Sequence, residues 1–325
     1  MRSRALSSVM ILGGALIALL ACQQQPKASP GAQLAWAYPK GPKEDLPPYP
    51  AGELHVPGST VTYTGEALNK GGGPPDWFPQ NHPPAPQIVA KGRDGVTACA
   101  ECHRIGGDGY NGTTDLAGLK AEYIVQQIQE FRSGRRHSWE AGRPAVEEMI
   151  GIARKVSDAD AQAAAAYFSA LPRIPHTRVV EGDTAPAARG SYYGWMQPVP
   201  GQPARPLNGQ VVELDADWNR ALLADPNSPL VIYAPVGSTA AGEALVRSGG
   251  PNGQACSACH GPSLKGSAIA PPLAGRSAAY LARQLLDIKT GARSGPAVAQ
   301  MQGPAQGLDD TQIRDIAVYA ASLTP

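Results

Sequence analysis

The sequence predicts an all-α fold class: two small helical domains built on one repeat, joined by an insertion with short β-strands. Three observations predict it. Helical periodicity recurs at a fixed offset of 157 residues. Each recurring helix is opened by a capping residue or closed by a glycine. Between the copies, residues 173–236 abandon that period for short apolar runs broken by proline and glycine. Composition agrees. A chain of 325 residues has room for two domains. Its 37 glycines and 32 prolines, against 6% aromatics, argue for short helices and long ordered loops rather than one large core. The 28 basic and 27 acidic residues leave a net charge of +1, which excludes strong electrostatic attraction to nucleic acid.

Residues 1–21 read as a secretory signal. Arg2 and Arg4 precede an apolar run from Val9 to Leu20, which ends in Leu19-Leu20-Ala21-Cys22. The run is short and broken by Gly13-Gly14, unlike a membrane-spanning helix. The Leu-x-Ala-Cys pattern resembles the lipobox of bacterial lipoproteins. That resemblance implies cleavage before Cys22, lipidation of Cys22 and a membrane anchor; an ordinary cleaved signal, or an uncleaved one serving as anchor, is the alternative. Residues 22–78 are rich in Gln, Pro, Gly and Lys and read as a flexible tether.

The repeat occupies residues 79–172 and 237–325, with 173–236 as linker. At the 157-residue offset, Cys99, Cys102 and His103 fall on Cys256, Cys259 and His260. Leu116-Ala117-Gly118 falls on Leu273-Ala274-Gly275, and Tyr123, Gln127, Gly134 and Arg136 fall on Tyr280, Gln284, Gly291 and Arg293. The register then slips by five residues, after which Met149 matches Met301 and Tyr167 matches Tyr319. The first copy therefore has a longer loop between Arg136 and Met149. The stripe Tyr123, Ile124, Gln127, Ile128, Phe131 predicts one helix, and Tyr280, Leu281, Leu285, Ile288 its twin, with Ser277 as N-cap. Final helices start at Ser157 and at Asp309, the second with Gln312 placed for a capping box.

The order Cys-x-x-Cys-His has a mechanical reason. Two cysteines three apart share one face of a helical turn, where each can add across a vinyl group of protohaem. The next residue then lies beneath the iron, where an imidazole nitrogen makes the proximal bond. Cys99, Cys102, Cys256 and Cys259 are thus candidate haem attachments, with His103 and His260 as axial ligands. A zinc ribbon needs its cysteine pairs closer in sequence and has no use for the histidine. A thioredoxin-like site needs a βαβ setting. Local disulfides are the remaining alternative in a secreted chain.

Three methionines remain outside the signal. Met149 and Met301 occupy matched places, and a thioether there would saturate the iron and raise its potential. Packing is the alternative role. His137, in the longer loop of the first copy, is an alternative sixth ligand, and Met196 reads as a strand residue. Arg136 and Arg293 are candidate partners for haem propionates or solvated helix-end cations. Tyr123 and Tyr280 read as core residues, and Trp77-Phe78-Pro79 as cover for the first haem edge.

These motifs together resemble tandem class I cytochrome c domains, similar to dihaem cytochromes of the c-four kind. The resemblance spans a little over half the chain. It implies two covalently bound c-type haems, helical haem pockets, a periplasmic location and one-at-a-time electron carriage between redox partners such as a dehydrogenase and a terminal oxidase. The tether, the irregular start of the first domain and the long insertion depart from that pattern. The alternative functions are a haem electron-acceptor subunit of a dehydrogenase or oxidase complex, with the insertion as docking surface, and a dihaem peroxidase. The last needs an open sixth position, which matched methionines disfavour.

Overall fold

The computed structural model describes residues 31–43, 48–70, 73–110 and 112–325. The signal and Cys22 lie outside the described residues. The chain enters as a 3-10 turn, Ala32–Ala37, and it is not a free tether there. Leu34 and Ala37 are fully buried and, with Trp36 and Tyr38, join the core of the second repeat. Both carboxylate oxygens of Asp310 accept backbone N–H groups of this segment, from Gly31 and Gln33, and Arg283 donates to the Ala37 carbonyl. The polar composition of 22–78 concealed four apolar side chains close enough in sequence to bury together. Farther on, β1 (Glu53–Leu54) pairs antiparallel with β2 (Tyr63–Thr64), and Thr64 caps α1 (Gly65–Asn69). Val56, Trp77 and Phe78 form a small core with Leu54, Tyr63 and Leu223. The Trp77 indole donates to the Leu223 carbonyl at 2.6 Å, so Trp77 pins this region to the insertion.

The first repeat contains α2 (Gln87–Ala90), α3 (Ala100–His103), α4 (Ala121–Arg132), α5 (Pro144–Lys155) and α6 (Asp158–Ala170). Ile88, Val89, Ile124, Ala164, Ala165 and Phe168 meet in its core. Ser157 caps α6 by accepting from the Asp160 N–H. Helix α5 begins inside the stretch between Arg136 and Met149 that the sequence marks as loop. Its marks are Pro144 at the first turn, Glu147 early and Arg154 and Lys155 late, the charge order a helix dipole favours.

The insertion carries the short strands expected of it, several of them. It holds β3 (Thr177–Glu181), β4 (Thr184–Ala185), β5 (Ala188–Gly190), β6 (Met196–Pro198), β7 (Arg205–Pro206), β8 (Val212–Asp215), α7 (Trp218–Leu222) and β9 (Leu230–Ala234). β9 pairs parallel with β3 and antiparallel with β8, giving a mixed sheet in the order β3-β9-β8. Leu230, Val231, Ile232 and Ala234 are all buried, so this central strand is covered on both faces. Ile232 and Ala234 belong to the core of the second repeat. The sheet of this insertion thus packs on the second repeat through Val179, Val211, Ile232 and Ala234. Between Tyr192 and Val199 the only strand is β6, after a turn closed by Ser191 N–H to the Trp195 carbonyl.

The second repeat contains α8 (Ser238–Ser248), α9 (Ser257–His260), α10 (Ala278–Thr290), α11 (Ala299–Gln306) and α12 (Asp310–Ser322). α8 crosses α12 so closely that a Cβ on Gly242 would collide with the Asp315 carbonyl. Ser277 caps α10 and Asp309 forms the capping box with Gln312. A second cap comes from the insertion. Glu213 of β8 accepts from Ser277 Oγ at 2.7 Å and from the Ala279 N–H at 2.9 Å. Burial pushes the Glu213 carboxyl above its ordinary 4.5, against the lowering effect of those donors. A raised carboxyl means the folded state holds its proton longer. Its contribution is complete below the unfolded value and is lost as pH rises through the folded one. Glu213→Gln is therefore expected to gain stability relative to the parent as pH rises through that range, in denaturant unfolding followed at a series of pH values. No helix among the described residues is long and apolar enough to cross a membrane.

Candidate functional site

Each Cys-x-x-Cys-His motif forms one short turn of helix, α3 or α9, with the first cysteine at its N-terminal edge. The four thiols are unbridged and half-buried. Among the described residues, no three His, Cys, Asp or Glu side chains gather in a metal-holding cluster. Burial pushes Cys99 and Cys102 up to about 11 and raises Cys256 in the same direction.

The histidines are prepared alike. His103 Nδ1 donates to the Thr114 carbonyl at 2.9 Å, and His260 Nδ1 donates to the Pro271 carbonyl at 2.8 Å. A carbonyl can only accept, so the ring proton sits on Nδ1 and Nε2 keeps its lone pair for a metal. Burial lowers both imidazoles, which keeps them neutral. Phe168 meets the His103 ring edge-on, with centroids 6.3 Å apart.

The second site surrounds a cavity of about 780 Å³. Cys256, Cys259, His260 and Met301 all line it. Met301 sits on α11 against Ile288, Val298 and Ala305. Tyr123, Gln126 and Leu119 of the first repeat also line it, so the cavity reaches the boundary between the repeats. In the first repeat Met149 lies on α5. Its neighbour Glu148 is close enough to Cys102 to raise that thiol. His137 is exposed, its N–H given to the Ala292 carbonyl and its ring to the Ser138 carbonyl. Met196 lies on β6, as read from sequence.

The matched arginines are where sequence reasoning fell short. Arg136 and Arg293 are not solvated helix ends; they are 8% and 5% exposed. Their backbones form an antiparallel bridge, so the segments after α4 and α10 meet across a local two-fold relation. Arg136 donates to Gln127 Oε1 at 2.9 Å within its own repeat and to Gln284 Oε1 at 3.1 Å in the other. Arg293 mirrors it, donating to Gln284 Oε1 at 3.0 Å and to Gln127 Oε1 at 2.8 Å. The Tyr123 hydroxyl accepts from Arg293 at 2.9 Å, and Tyr280 faces Arg136 at 3.5 Å. The tyrosines read as core residues are thus part of a polar network between the repeats. The available signal was that Gln127 and Gln284 recur on otherwise apolar stripes.

This network tests whether a haem fits. The hydrogen bonds of two buried guanidiniums go there to neutral amides and phenols, and the buried carboxylates of Asp287 and Glu130 act on them through their fields. Each uncompensated buried ion costs several kcal/mol. Burial alone would raise Tyr280, yet Arg136, Arg293 and Arg276 together pull it below its ordinary value. Arg293 Nε and Arg276 Nη2 are buried without partners. Arg276 and Arg293 line the 780 Å³ cavity. A surplus of buried positive charge at the rim of a cavity that presents a Cys pair, a His and a Met fits a group bearing two carboxylates.

A profile of the cytochrome c family matches residues 89–172 and 240–324. The chain belongs to the cytochrome c family. It is similar to a thiosulfate dehydrogenase electron acceptor from Thiomonas intermedia, 27% identical over 241 residues, which cover 73% of this chain and 84% of that protein. It is similar to cytochrome c4 of Pseudomonas aeruginosa, 28% identical over 243 residues, covering 72% and 88%. Among solved structures it resembles thiosulfate dehydrogenase from Marichromatium purpuratum, with TM-score 0.50 and 28% identity over 73% of this chain. The present chain spans only 39% of that one. As a dihaem class I cytochrome c, the chain carries two covalently bound c-type haems. It transfers electrons.

Proposed function

We propose that this cytochrome accepts electrons from a dehydrogenase that oxidises a small sulfur compound, and passes them singly to a terminal oxidase. The similarity to a thiosulfate dehydrogenase electron acceptor, which runs through both repeats, supports the donor class. The observation that carries two-haem relay is the shared Arg136/Arg293 network, since each arginine serves an amide of both repeats.

In this reading Cys99 and Cys102 attach the first haem, and Cys256 and Cys259 the second. His103 with Met149, and His260 with Met301, hold the irons. Bound iron supplies a reversible one-electron couple. The chain's own residues do the rest. The carbonyls of Thr114 and Pro271 fix the histidine tautomers. Met149 and Met301 would help hold the irons and keep small ligands out, and Arg136 and Arg293 would neutralise the propionates. Burial of the sites keeps bulk water from reorganising when charge arrives.

The same proposal places the protein in the periplasm, held to a membrane by lipid on Cys22. Gly31 follows Cys22 by nine residue steps, which can span at most ~30 Å. Since Gly31 is fastened to α12 through Asp310, the second domain would ride within that distance of the bilayer.

Arg293→Gln removes a cation that favours the reduced state at both sites. It is expected to lower both midpoint potentials, by around one tenfold change in equilibrium constant, ~59 mV for a one-electron couple. A shift in only one haem would separate the two sites and count against a shared network. The functional reading is tested by rapid mixing of the oxidised full-length holoprotein with purified thiosulfate dehydrogenase and thiosulfate. Uptake of two electrons per chain is expected. No reduction by that enzyme, alongside fast reduction by another dehydrogenase, would replace the donor.

A further inference from the structure

The residue after His103 is held in a conformation that arginine disfavours. Arg104 has φ 57° and ψ 162°. Its twin in the repeat is Gly261, at φ 82° and ψ 158°. That region is nearly reserved for glycine, and an L residue there carries a strain of order 1–3 kcal/mol. The fold thus needs the turn in both repeats but places a charged side chain on only one of them.

The side chain is 3% exposed. Its guanidinium lies 4.4 Å from the Tyr110 ring centroid, and Nη1 donates to Asp108 Oδ2 at 2.7 Å. Nε and Nη2 are buried without a partner. Arg104 lines a cavity of about 90 Å³ where the first repeat meets the insertion and the second repeat, and it does not line the haem cavity. Asp108, Asp115, Arg173, His176 and Arg276 also line this smaller cavity. Asp115 accepts from Arg276 Nη1 and, at 3.3 Å, from Arg173 Nη2. Arg173 Nε and Nη1 and Arg276 Nη2 remain buried and unpartnered. Arg173 and Arg276 reach the haem cavity too, and a propionate can take some of those donors. Arg104 lies outside that cavity, which belongs to the second site.

We propose that this cavity binds a small tetrahedral inorganic oxyanion. Three guanidiniums face it against the carboxylates of Asp76, Asp108 and Asp115, with Asp76 engaged by His82 Nε2 at 3.0 Å, and burial holds His176 towards its neutral form. Asp215 on β8 adds its field to Arg104 and His176 and has an interaction of its own. The surplus is of N–H donors, which four acceptor oxygens match. A single water needs only ~10–15 Å³ of such space, so the volume suits a larger guest. Bound there, the anion would join Arg104 of the first repeat to Arg173 and to Arg276 of the second. It would also place negative charge one residue from His103 and so lower the potential of the first haem.

The test is calorimetric titration of the full-length oxidised holoprotein with sulfate, thiosulfate or phosphate at constant ionic strength, with chloride as control. Saturable binding of one oxyanion per chain is expected, and the tightest of the three names the source. Arg104→Gly installs the twin's residue in the same backbone conformation, so the variant keeps its haem spectrum. Its affinity is expected to fall at least tenfold. Saturating oxyanion should lower one midpoint potential in the parent and neither in Arg104→Gly. Absence of saturable heat with all three oxyanions overturns the proposal, as does binding that Arg104→Gly leaves unchanged.

Discussion

Met301→Leu is expected to leave the second haem without its sulfur ligand while the thioethers and His260 keep it in place. The weak red absorption that methionine gives to ferric haem should fall by half per chain. The midpoint of that haem should fall by roughly a few hundred millivolts, within the ~0.8 V span that axial ligands command. Leucine matches methionine closely in volume, so the packing against Ile288, Val298 and Ala305 is kept and stability should change by less than ~1.5 kcal/mol. Met149→Leu should act in the same way on the first haem. If Met149→Leu leaves the spectrum intact while a His137 variant changes it, the first site is assigned wrongly. The exposed ring of His137, turned to the Ser138 carbonyl, argues that this will not happen.

The second large effect is expected far from either iron. Leu34→Ala removes a fully buried side chain from the core of the second domain. The cost should be about 2–5 kcal/mol, and Trp36→Ala should cost about 3–5 kcal/mol. These residues precede the whole first repeat, yet they pack beside Leu286 and Ile313 of the second. The loss should therefore appear as earlier unfolding of the second domain, read from the His260 haem, with the first haem's signal trailing. Equal loss in both would mean that the repeats unfold as one unit through the Arg136/Arg293 network.

Much of this was legible in the sequence because the repeat supplies an internal control. The helices at 121–132 and 278–290, their caps at Ser277 and Gly291, and the capping box at Asp309 follow from local periodicity and capping chemistry. The Cys-x-x-Cys-His motifs follow from the geometry of one helical turn. Longer-range consequences were hidden. The segment at 31–38 looks like linker because its neighbours are polar, and only the tertiary fold shows where Leu34 and Trp36 go. Helix α5 is masked because it falls in the extra loop of the first copy, where the repeat register slips. The burial of Arg136 and Arg293 is invisible locally, since each is sheltered by the opposite repeat. Glu213 illustrates the same limit: a strand residue of the insertion caps a helix that starts 65 residues later.

The central claim is that both irons are saturated by protein ligands and that the chain carries two electrons, one per haem. Potentiometric titration of the full-length holoprotein, followed optically with and without carbon monoxide, tests it most directly. The account predicts two one-electron steps, methionine-type absorption from both oxidised haems, and no change of the reduced spectrum with carbon monoxide. A reduced haem that binds carbon monoxide stoichiometrically would contradict it, and would give that site the open position a peroxidase requires.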